Sequence, residues 1–424
     1  MDLRLPEGRS KGEAINPRDT TDRMFRNYVE DGPALLTDPE SKIRGHFQLE
    51  NVSTTVANTL RRSILMETRS VGFRADLTNS ADPGIRITKN TGPIFNEMLA
   101  HRLTLIPVGV RKLDEFDPSR YEIALSVSNT SNETIHVTAS QFEVREKQDS
   151  GLYKALDPVV TAAMFPQDPI TKSTSLITTL RSHWNPDLPP DTIELTAYPV
   201  IGRGREFMGF CPVACCAFEN TRDDDPVRQE SFFNDWLASF KKVTEPSSID
   251  PALLETYRAE WKTMAIQRCF KINEKGQPSS FSFVVESVGI RPVRDVVAEG
   301  IRAVIELVKP YTDSTIPLQD LGLTVLPLES RMSGLRVIFE DQEHTLGCLL
   351  EAMVHELYLD TESPDAPLSY AAYKVPHPLQ KKMVLFLGEA STPLDEMAVR
   401  KIVAAAAQRA ITIFQDLEKA WSSF

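Results

Sequence analysis

Residues 53–69 read STTVANTLRRSILMETR, and this stretch predicts the first helix of the fold. Ser53 stands where an N-cap residue belongs, and the preceding segment IRGHFQLENV, residues 43–52, is typical of a strand. Three apolar residues of the helix recur at every fourth position, which is the spacing of one buried helical face: Val56, Leu60 and Ile64. We therefore expect a mixed α and β unit that starts near residue 43.

The two arginines of this helix fall on different sides of it. At about 100° per residue, Arg61 borders the apolar face and Arg62 lies further round the helix. A buried guanidinium without a partner is costly, so Arg61 needs a carboxylate or a carbonyl nearby. The pattern alone leaves two interpretations open, an arginine that is paired or snorkels within the fold and an arginine at an interface with another protein.

Two further predicted helices flank a long strand-rich region. Pro93 suits the first turn of PIFNEMLAHRL, in which Ile94, Met98 and Leu103 can face inward, and Pro292 starts the most regular amphipathic pattern of the chain, PVRDVVAEGIRAVIELV. Between them, residues 112–277 contain short alternating segments such as YEIALSVSN and ETIHVTAS, interrupted late by helical patterns near 229–242 and 251–268. These features predict a β-rich insertion domain between residues 41–111 and 278–312, which form one discontinuous domain.

The last unit, residues 333–424, repeats the order of strand and helix. LRVIFED is followed by EHTLGCLLEAMVHEL, then by the strands LSYAAYKV and KKMVLFLG and a long closing helix with Thr392 as its predicted cap and Pro393 as its first residue. A unit this small cannot cover both faces of its sheet, so one face needs a partner surface, which the first unit can supply. Residues 313–332 are predicted as a linker, and residues 1–40 as a loosely held N-terminal arm.

Composition limits the function. The chain has 424 residues and a formal charge of −12, which argues against a free nucleic-acid binder. No apolar window is long enough for a membrane span and the N-terminus lacks a signal peptide, so we expect a soluble, intracellular protein. The five cysteines form no CxxC pair, so we expect reduced thiols and neither a structural metal nor a cofactor: Cys211, Cys215, Cys216, Cys269 and Cys348.

The sequence contains no phosphate loop, no metal-binding helix motif and no nucleophile elbow. His355 begins an incomplete zinc-protease pattern and is expected to be solvated, and neither His101 nor His377 has triad partners at a suitable spacing. An alternative function is an enzyme built on the β-rich insertion, with the flanking units serving oligomerisation. A sequence-specific transcription factor is disfavoured by the acidic balance and the lack of a basic recognition helix.

Several long motifs occur in the order found in one family. NTLRRSIL, NEMLAHRLTLIPV and FVVESVGIRPVRDVVAEGI resemble the alpha-type subunits of multisubunit RNA polymerases, specifically the third-largest subunit of eukaryotic RNA polymerase II and the archaeal D subunit. FEDQEHTLGCLL and SYAAYKVPHPL resemble the eleventh subunit of that enzyme and the archaeal L subunit. Two partner subunits are thus predicted to be fused in one chain. This fusion resembles the arrangement of these subunits in large DNA viruses that transcribe in the cytoplasm.

The resemblance implies an α+β fold in which two dimerisation units, each with helices packed on a small antiparallel sheet, form an intrachain pseudo-heterodimer. It implies a scaffold without an active site that assembles the largest and second-largest polymerase subunits, helped by small zinc-binding subunits. A viral source implies a place in the virion and the host cytoplasm, with no membrane and no sequence-specific contact with nucleic acid. Residues at matching motif positions are implied as the subunit interface: Asn58, Leu60, Arg61, Arg62, His101, Arg102, His344, Thr345, Leu346, Gly347, Tyr373, Lys374 and His377.

The chain departs from the family pattern at two places besides the fusion. Many third-subunit relatives carry a cysteine cluster for zinc or an iron–sulfur group in the insertion, whereas residues 107–150 here contain no cysteine. The eleventh-subunit motif usually has asparagine after TLG, and this chain has Cys348. We therefore expect no metal in the insertion and the loss of one polar contact at the start of that helix.

Overall fold

The computed structural model describes residues 24–76, 84–110, 112–246, 249–329, 332–360, 367–390 and 393–424. Within this part of the chain, helices and antiparallel strands alternate. The elements up to residue 104 are β1 (Phe25–Ala34), β2 (Lys42–Glu50), α1 (Thr54–Met66), β3 (Arg69–Phe73), β4 (Ile85–Asn90) and α2 (Asn96–Thr104). The next elements are β5 (Tyr121–Ser128), β6 (Ile135–Thr138), β7 (Glu143–Lys147), β8 (Tyr153–Ala155), α3 (Pro158–Met164), β9 (Leu176–Leu180), β10 (Thr192–Ala197) and β11 (Pro199–Arg203). They are followed by β12 (Val213–Asn220), α4 (Pro226–Trp236), α5 (Pro251–Met264), β13 (Ser280–Ser287) and α6 (Val293–Val308). The last elements are β14 (Leu323–Pro327), β15 (Gly334–Glu340), α7 (His344–Val354), β16 (Leu368–Lys374), β17 (Lys382–Glu389) and α8 (Glu396–Ser422).

The first unit is built on a four-stranded antiparallel sheet in the order β1, β2, β13, β12. Two of its strands lie outside the predicted boundaries. The described part of the predicted N-terminal arm forms β1, whose start is fixed by the burial of Phe25. Strand β12 falls within residues 112–277 in sequence, yet it pairs with β13, so this part of the predicted insertion belongs to the sheet of the first unit.

Helices α1 and α6 cover one face of this sheet, as the periodicity of their apolar residues predicts. Ser53 accepts a hydrogen bond from the backbone of Val56 and so caps α1, while Pro292 is the N-cap residue of α6. The two helices cross closely at Gly300, where an added Cβ would lie 2.6 Å from the Cγ1 atom of Ile64. The small residue at 300 therefore sets the separation of α1 and α6.

The second unit has its own four-stranded antiparallel sheet, in the order β14, β15, β17, β16. Residues 313–332 are not wholly a linker as predicted. They include strand β14, whose residues LTVLP all pair with β15. The closing helix α8 starts at Glu396, and its N-cap residue is Asp395, which accepts a hydrogen bond from the backbone of Ala398. Thr392 lies outside the described residues, and Pro393 precedes the helix rather than starting it.

The helices of the two units meet in one continuous hydrophobic core, with α1 and α6 packed against α7 and α8. The end of α8 reaches the first sheet. The indole N–H of Trp421 donates to the backbone carbonyl of Arg294 at 3.0 Å, and its ring lies 4.9 Å from that of Phe25. Each unit thus covers the open face of the other.

The strand-rich region between the units has a separate core beneath a five-stranded sheet in the order β4, β10, β5, β7, β8. Strand β4 and helix α2 contribute to this core, although the prediction assigned residues 41–111 to the first unit. Two-stranded ribbons join β3 to β11 and β6 to β9, and α4 and α5 pack around Trp261 in a third, small cluster. The predicted α+β fold, with helices on small antiparallel sheets and a strand-rich insertion, is confirmed.

Candidate subunit interface

The first turn of α7 lies against the middle of α1. The guanidinium Nε of Arg62 donates a hydrogen bond to the hydroxyl of Thr345 at 2.8 Å, and the Cys348 thiol lies 4.0 Å from the hydroxyl of Thr55. Thr345 is buried and Arg62 is half-buried. The two matched motifs are therefore brought together, with a charged side chain at the boundary of the shared core.

The other predicted residues of α1 divide between surface and core. Arg61 is half-buried, and its guanidinium Nε donates to the side-chain oxygen of Asn58 one helical turn earlier, at 3.0 Å. Arg61 thus has a neutral partner within its own helix. Leu60 is fully buried and packs in the core between the units. It supports the helix from inside and offers no surface to a partner.

The predicted residues of the second unit surround the start of α7. The exposed His344 has its Nδ1 atom 3.3 Å from the hydroxyl of Tyr373, on strand β16. Gly347 lies beneath the Tyr373 ring, and any side chain there would collide with that ring. Leu346 is fully buried. We use the name junction surface for Asn58, Arg61 and Arg62 of α1 together with His344 and Tyr373 of the second unit.

The second unit also contains His355, Lys374 and His377, further along the chain. Lys374 is exposed, with its ammonium group 5.2 Å from the centre of the Phe386 ring, and His377 is exposed and accepts a hydrogen bond from the backbone of Leu379. His355 was predicted to be solvated, but its Nε2 atom lies 3.0 Å from the backbone carbonyl of Ala371 and the side chain is half-buried. It fixes α7 to strand β16.

His101 and Arg102 lie on α2, in a different part of the molecule from the junction surface residues. Arg102 donates to the backbone carbonyls of Ile177 and Leu176, at 2.8 and 2.9 Å, and so holds α2 to strand β9. His101 is exposed and lines a cavity of about 540 Å³ together with Arg74, Glu97 and Glu206. Only His101 of this pair is free to meet a partner.

One side of α2 carries exposed apolar side chains. Phe95 is 64% exposed, Met98 48% and Leu105 52%. The prediction that Met98 faces inward is wrong, because the core beneath α2 is filled by Leu99 and Leu103. Exposed apolar groups clustered in this way are typical of a surface that another protein covers. We name Phe95, Met98 and Leu105 the α2 surface.

Charged groups that the sequence analysis missed adjoin the junction surface. Arg205 donates to the backbone carbonyl of Asp341 at 2.9 Å, which joins the loop after β11 to the loop before α7, and lies 3.5 Å from the buried carboxylate of Glu67. Arg205 stands in the segment IGRGREF, residues 201–207, in which two arginines alternate with two glycines.

A second, more deeply buried network centres on Glu299 of α6. Its carboxylate accepts hydrogen bonds from Arg291 at 2.6 Å and from the side chain and backbone of Arg69 at 3.1 and 2.9 Å. Arg69 also contacts Asp114 of the insertion at 2.9 Å. Burial alone would raise the pKa of Glu299, but the charge of Arg291 and the N–H groups of Arg69 outweigh it and hold that pKa below its ordinary value. This network connects the first unit to the insertion.

The five cysteines are free thiols, and Cys215 is the exposed one among the three in the β12 region. Within the described ranges, no group of three or more His, Cys, Asp or Glu side chains has the arrangement of a metal site. The described helices also include none with the length and apolarity that crossing a membrane requires.

Comparison with known proteins gives the family. Residues 46–308 match the family described as the RNA polymerase Rpb3/Rpb11 dimerisation domain. The DNA-directed RNA polymerase II subunit RPB3 of Schizosaccharomyces pombe is 26% identical over 279 residues, which cover 62% of this chain and 80% of the relative. The DNA-directed RNA polymerase subunit Rpo3 of Pyrococcus horikoshii is 24% identical over 267 residues, or 60% of this chain and 87% of the relative. A conjugation stage-specific protein of Tetrahymena thermophila is 29% identical over 136 residues, and this chain covers 40% of its length.

The matched span starts within β2 and contains β13, the other central strand of the first sheet, and both helices that cover the sheet, α1 and α6. The motif residues on α1 lie within this span as well. The chain therefore belongs to the RNA polymerase Rpb3/Rpb11 dimerisation domain family, as an alpha-type RNA polymerase subunit.

Proposed function

We propose that this chain is a non-catalytic assembly platform of a multisubunit DNA-directed RNA polymerase, with a third-subunit-like and an eleventh-subunit-like unit in one polypeptide. The observation that carries the proposal is the continuous core formed by α1, α6, α7 and α8 between two four-stranded sheets. The helices on each sheet need the helices of a second unit to cover their outer face. Here one chain contains both units. A source among large DNA viruses, with the protein in the virion and the host cytoplasm, is part of this proposal.

The proposed partners are the largest and second-largest polymerase subunits, accompanied by small zinc-binding subunits. The formal charge of −12 supports protein partners, because a surface that follows nucleic acid needs an excess of lysine and arginine against phosphates. Stable association with two large subunits requires interfaces that bury more than about 2,000 Å² with arginine and apolar side chains at their centres. The junction surface offers the arginines and the α2 surface offers the apolar groups.

We propose the junction surface as the main contact with a large subunit. Arg61 donates a hydrogen bond to the neutral side chain of Asn58, and its charge is therefore available to a carboxylate of a partner. His344 and Tyr373 extend the same surface onto the second unit. Binding there would depend on both units being in place.

Mass spectrometry of the native complex, purified through a tag on this chain from its natural source, tests the function. We expect stoichiometric recovery of two very large polymerase subunits. Recovery of the chain alone, or with metabolic enzymes, would contradict the proposal and direct attention to the insertion as an enzyme.

The double substitution Arg61→Ala with Arg62→Ala tests the interface separately. We expect a folded chain that no longer recruits a large subunit. The matched control removes two exposed arginines elsewhere in the chain, Arg120→Ala with Arg222→Ala, and should assemble normally. Normal assembly by the Arg61 and Arg62 variant would contradict the interface while leaving the family assignment intact.

A further inference from the structure

The start of α8 and the loop before β14 enclose a groove that the proposed polymerase contacts do not involve. Its volume is about 490 Å³, and its walls are formed by residues 314–318 and by the first turns of α8. Much of the wall is apolar, from Ile316, Pro317, Leu318 and Met397, and the Met397 side chain is 66% exposed.

A buried charged group lines this groove: Arg400 is only 5% exposed. One nitrogen of its guanidinium, Nη2, donates to the backbone carbonyls of Asp313 and Ile316, at 2.6 and 3.2 Å. The other two, Nε and Nη1, are buried and have no hydrogen-bond partner among the described residues. A guanidinium has five N–H donors, and leaving buried donors unpaired costs free energy.

Within the described part of the chain, the neighbouring carboxylates accept no hydrogen bond from Nε or Nη1 of Arg400. Asp313 acts on Arg400 electrostatically, but its carboxylate oxygen Oδ1 accepts hydrogen bonds from the backbone and hydroxyl of Thr315, at 2.8 and 2.6 Å. Glu396 is exposed at the rim of the groove. Lys401, next to Arg400 and also exposed, adds a second positive charge. The groove thus has two cationic side chains and one carboxylate beside a partly apolar wall, in a chain whose net charge is strongly negative.

We propose that this groove docks a segment of a partner protein that presents one Asp or Glu carboxylate to Arg400 and an adjacent apolar side chain to Met397 and Ile316. The carboxylate supplies the acceptors that Nε and Nη1 lack, in charge-assisted hydrogen bonds. A nucleic-acid backbone fits less well, because Glu396 at the rim and Asp313 near Arg400 would repel a run of phosphates. The inference concerns a surface separate from the junction surface and stands whether or not the proposed polymerase contacts are correct.

Photo-cross-linking tests the proposal in the native complex. The full chain would carry p-benzoylphenylalanine in place of the exposed Met397 and would be expressed and purified from the natural source. After irradiation, the cross-linked peptide would be sequenced by mass spectrometry. We expect one protein segment that contains Asp or Glu next to an apolar residue.

Two variants test whether docking depends on the charge of Arg400 and so on a carboxylate of the partner. Arg400→Gln keeps an N–H donor for the carbonyls of Asp313 and Ile316 and removes the charge, and we expect it to lower the cross-link yield by about tenfold or more. The exposed Lys419→Gln, near the other end of α8, is the matched control and should leave the yield unchanged. Thermal unfolding of each chain reports whether it is folded.

If Arg400→Gln does not fold, the acidic residue of the cross-linked segment is changed to its amide instead, and the yield should fall by about the same factor. A cross-link to nucleic acid, to a second copy of this chain or to a segment without a carboxylate would overturn the proposal. So would the absence of any cross-link, or a yield that neither charge removal changes.

Discussion

The guanidinium of Arg62 lies 2.8 Å from the hydroxyl of Thr345, a residue 283 positions later in the chain. This hydrogen bond crosses the boundary between the two units, from the middle of α1 to the first turn of α7. It links the two motifs that the sequence analysis singled out in separate parts of the chain.

A double-mutant cycle should detect this contact. We expect Arg62→Ala and Thr345→Val to be non-additive, with a coupling free energy of about 1 kcal/mol, because either substitution alone removes the same hydrogen bond. Urea unfolding of the four proteins measures it. Pairing Arg62→Ala with Thr412→Val, an exposed threonine on α8, should be additive. Additivity in the Thr345 cycle as well would show that the bond contributes nothing to stability.

The buried carboxylate of Glu299 should make stability sensitive to acid. Glu299→Gln keeps the shape but leaves the buried Arg291 without its counter-charge, so we expect a loss of about 3 kcal/mol in the free energy of unfolding at neutral pH. The exposed Glu133→Gln is the control and should have little effect.

The pH dependence of that difference follows from the lowered pKa of Glu299. A carboxyl group whose pKa is lower in the folded state stabilises the fold fully above its ordinary pKa, 4.5, and loses this contribution as the pH falls through the folded value. The difference in the free energy of unfolding between the wild type and Glu299→Gln should therefore become smaller as the pH falls below 4.5. A gap that stays constant or widens there would contradict the lowered pKa.

The α2 surface should matter for assembly and not for folding. Met98→Glu places a charge on an exposed apolar patch, so we expect unfolding to change by less than about 0.5 kcal/mol while recovery of large subunits falls sharply. Met264→Glu, at a methionine that is 73% exposed at the end of α5, is the matched control. Equal recovery with both variants would remove the α2 surface from the proposed interface.

Two adjacent cysteines should differ in reactivity. Cys215 is exposed, whereas Cys216 is buried, and burial raises the pKa of the Cys216 thiol to about 12. Because the thiolate is the reactive form, iodoacetamide at about pH 8 should label Cys215 first and Cys216 only after unfolding. Peptide mass spectrometry after timed labelling measures both rates. Labelling of Cys216 as fast as Cys215 in the folded chain would contradict the burial of β12 against the core.

Helices α1 and α6 could be predicted from sequence because each is buried on one face, so its apolar residues follow the period of the helix. Strand β1 could not be, since FRNYVEDGPA is an irregular edge strand with Asn27 and Gly32 at positive φ and register shifts against β2. Its stability comes from pairing with β2 and from the contact of Phe25 with Trp421, nearly 400 residues away in sequence. Neither signal is local.

The sequence motifs supplied candidate residues for the site but did not predict how the fold arranges them. The motifs named residues of α1, α2 and α7, yet only the fold shows that Leu60 and Leu346 are core residues and that Arg102 is engaged with the backbone of β9. The Arg205 contact with Asp341 joins two loops whose sequences carry no pairing signal. Such contacts depend on how the units pack, which periodicity does not encode.

The segment that follows α6 joins the first unit to the second and is held on the second unit by the pairing of β14 with β15 and by the hydrogen bonds that Arg400 donates to Asp313 and Ile316. Because one chain contains both units, each unit meets the other at a high effective concentration. The encounter between the two sheets is intramolecular, so dilution cannot separate them and no free half can exchange with another complex. The ratio of the two halves is set at translation, whatever the amount of protein made.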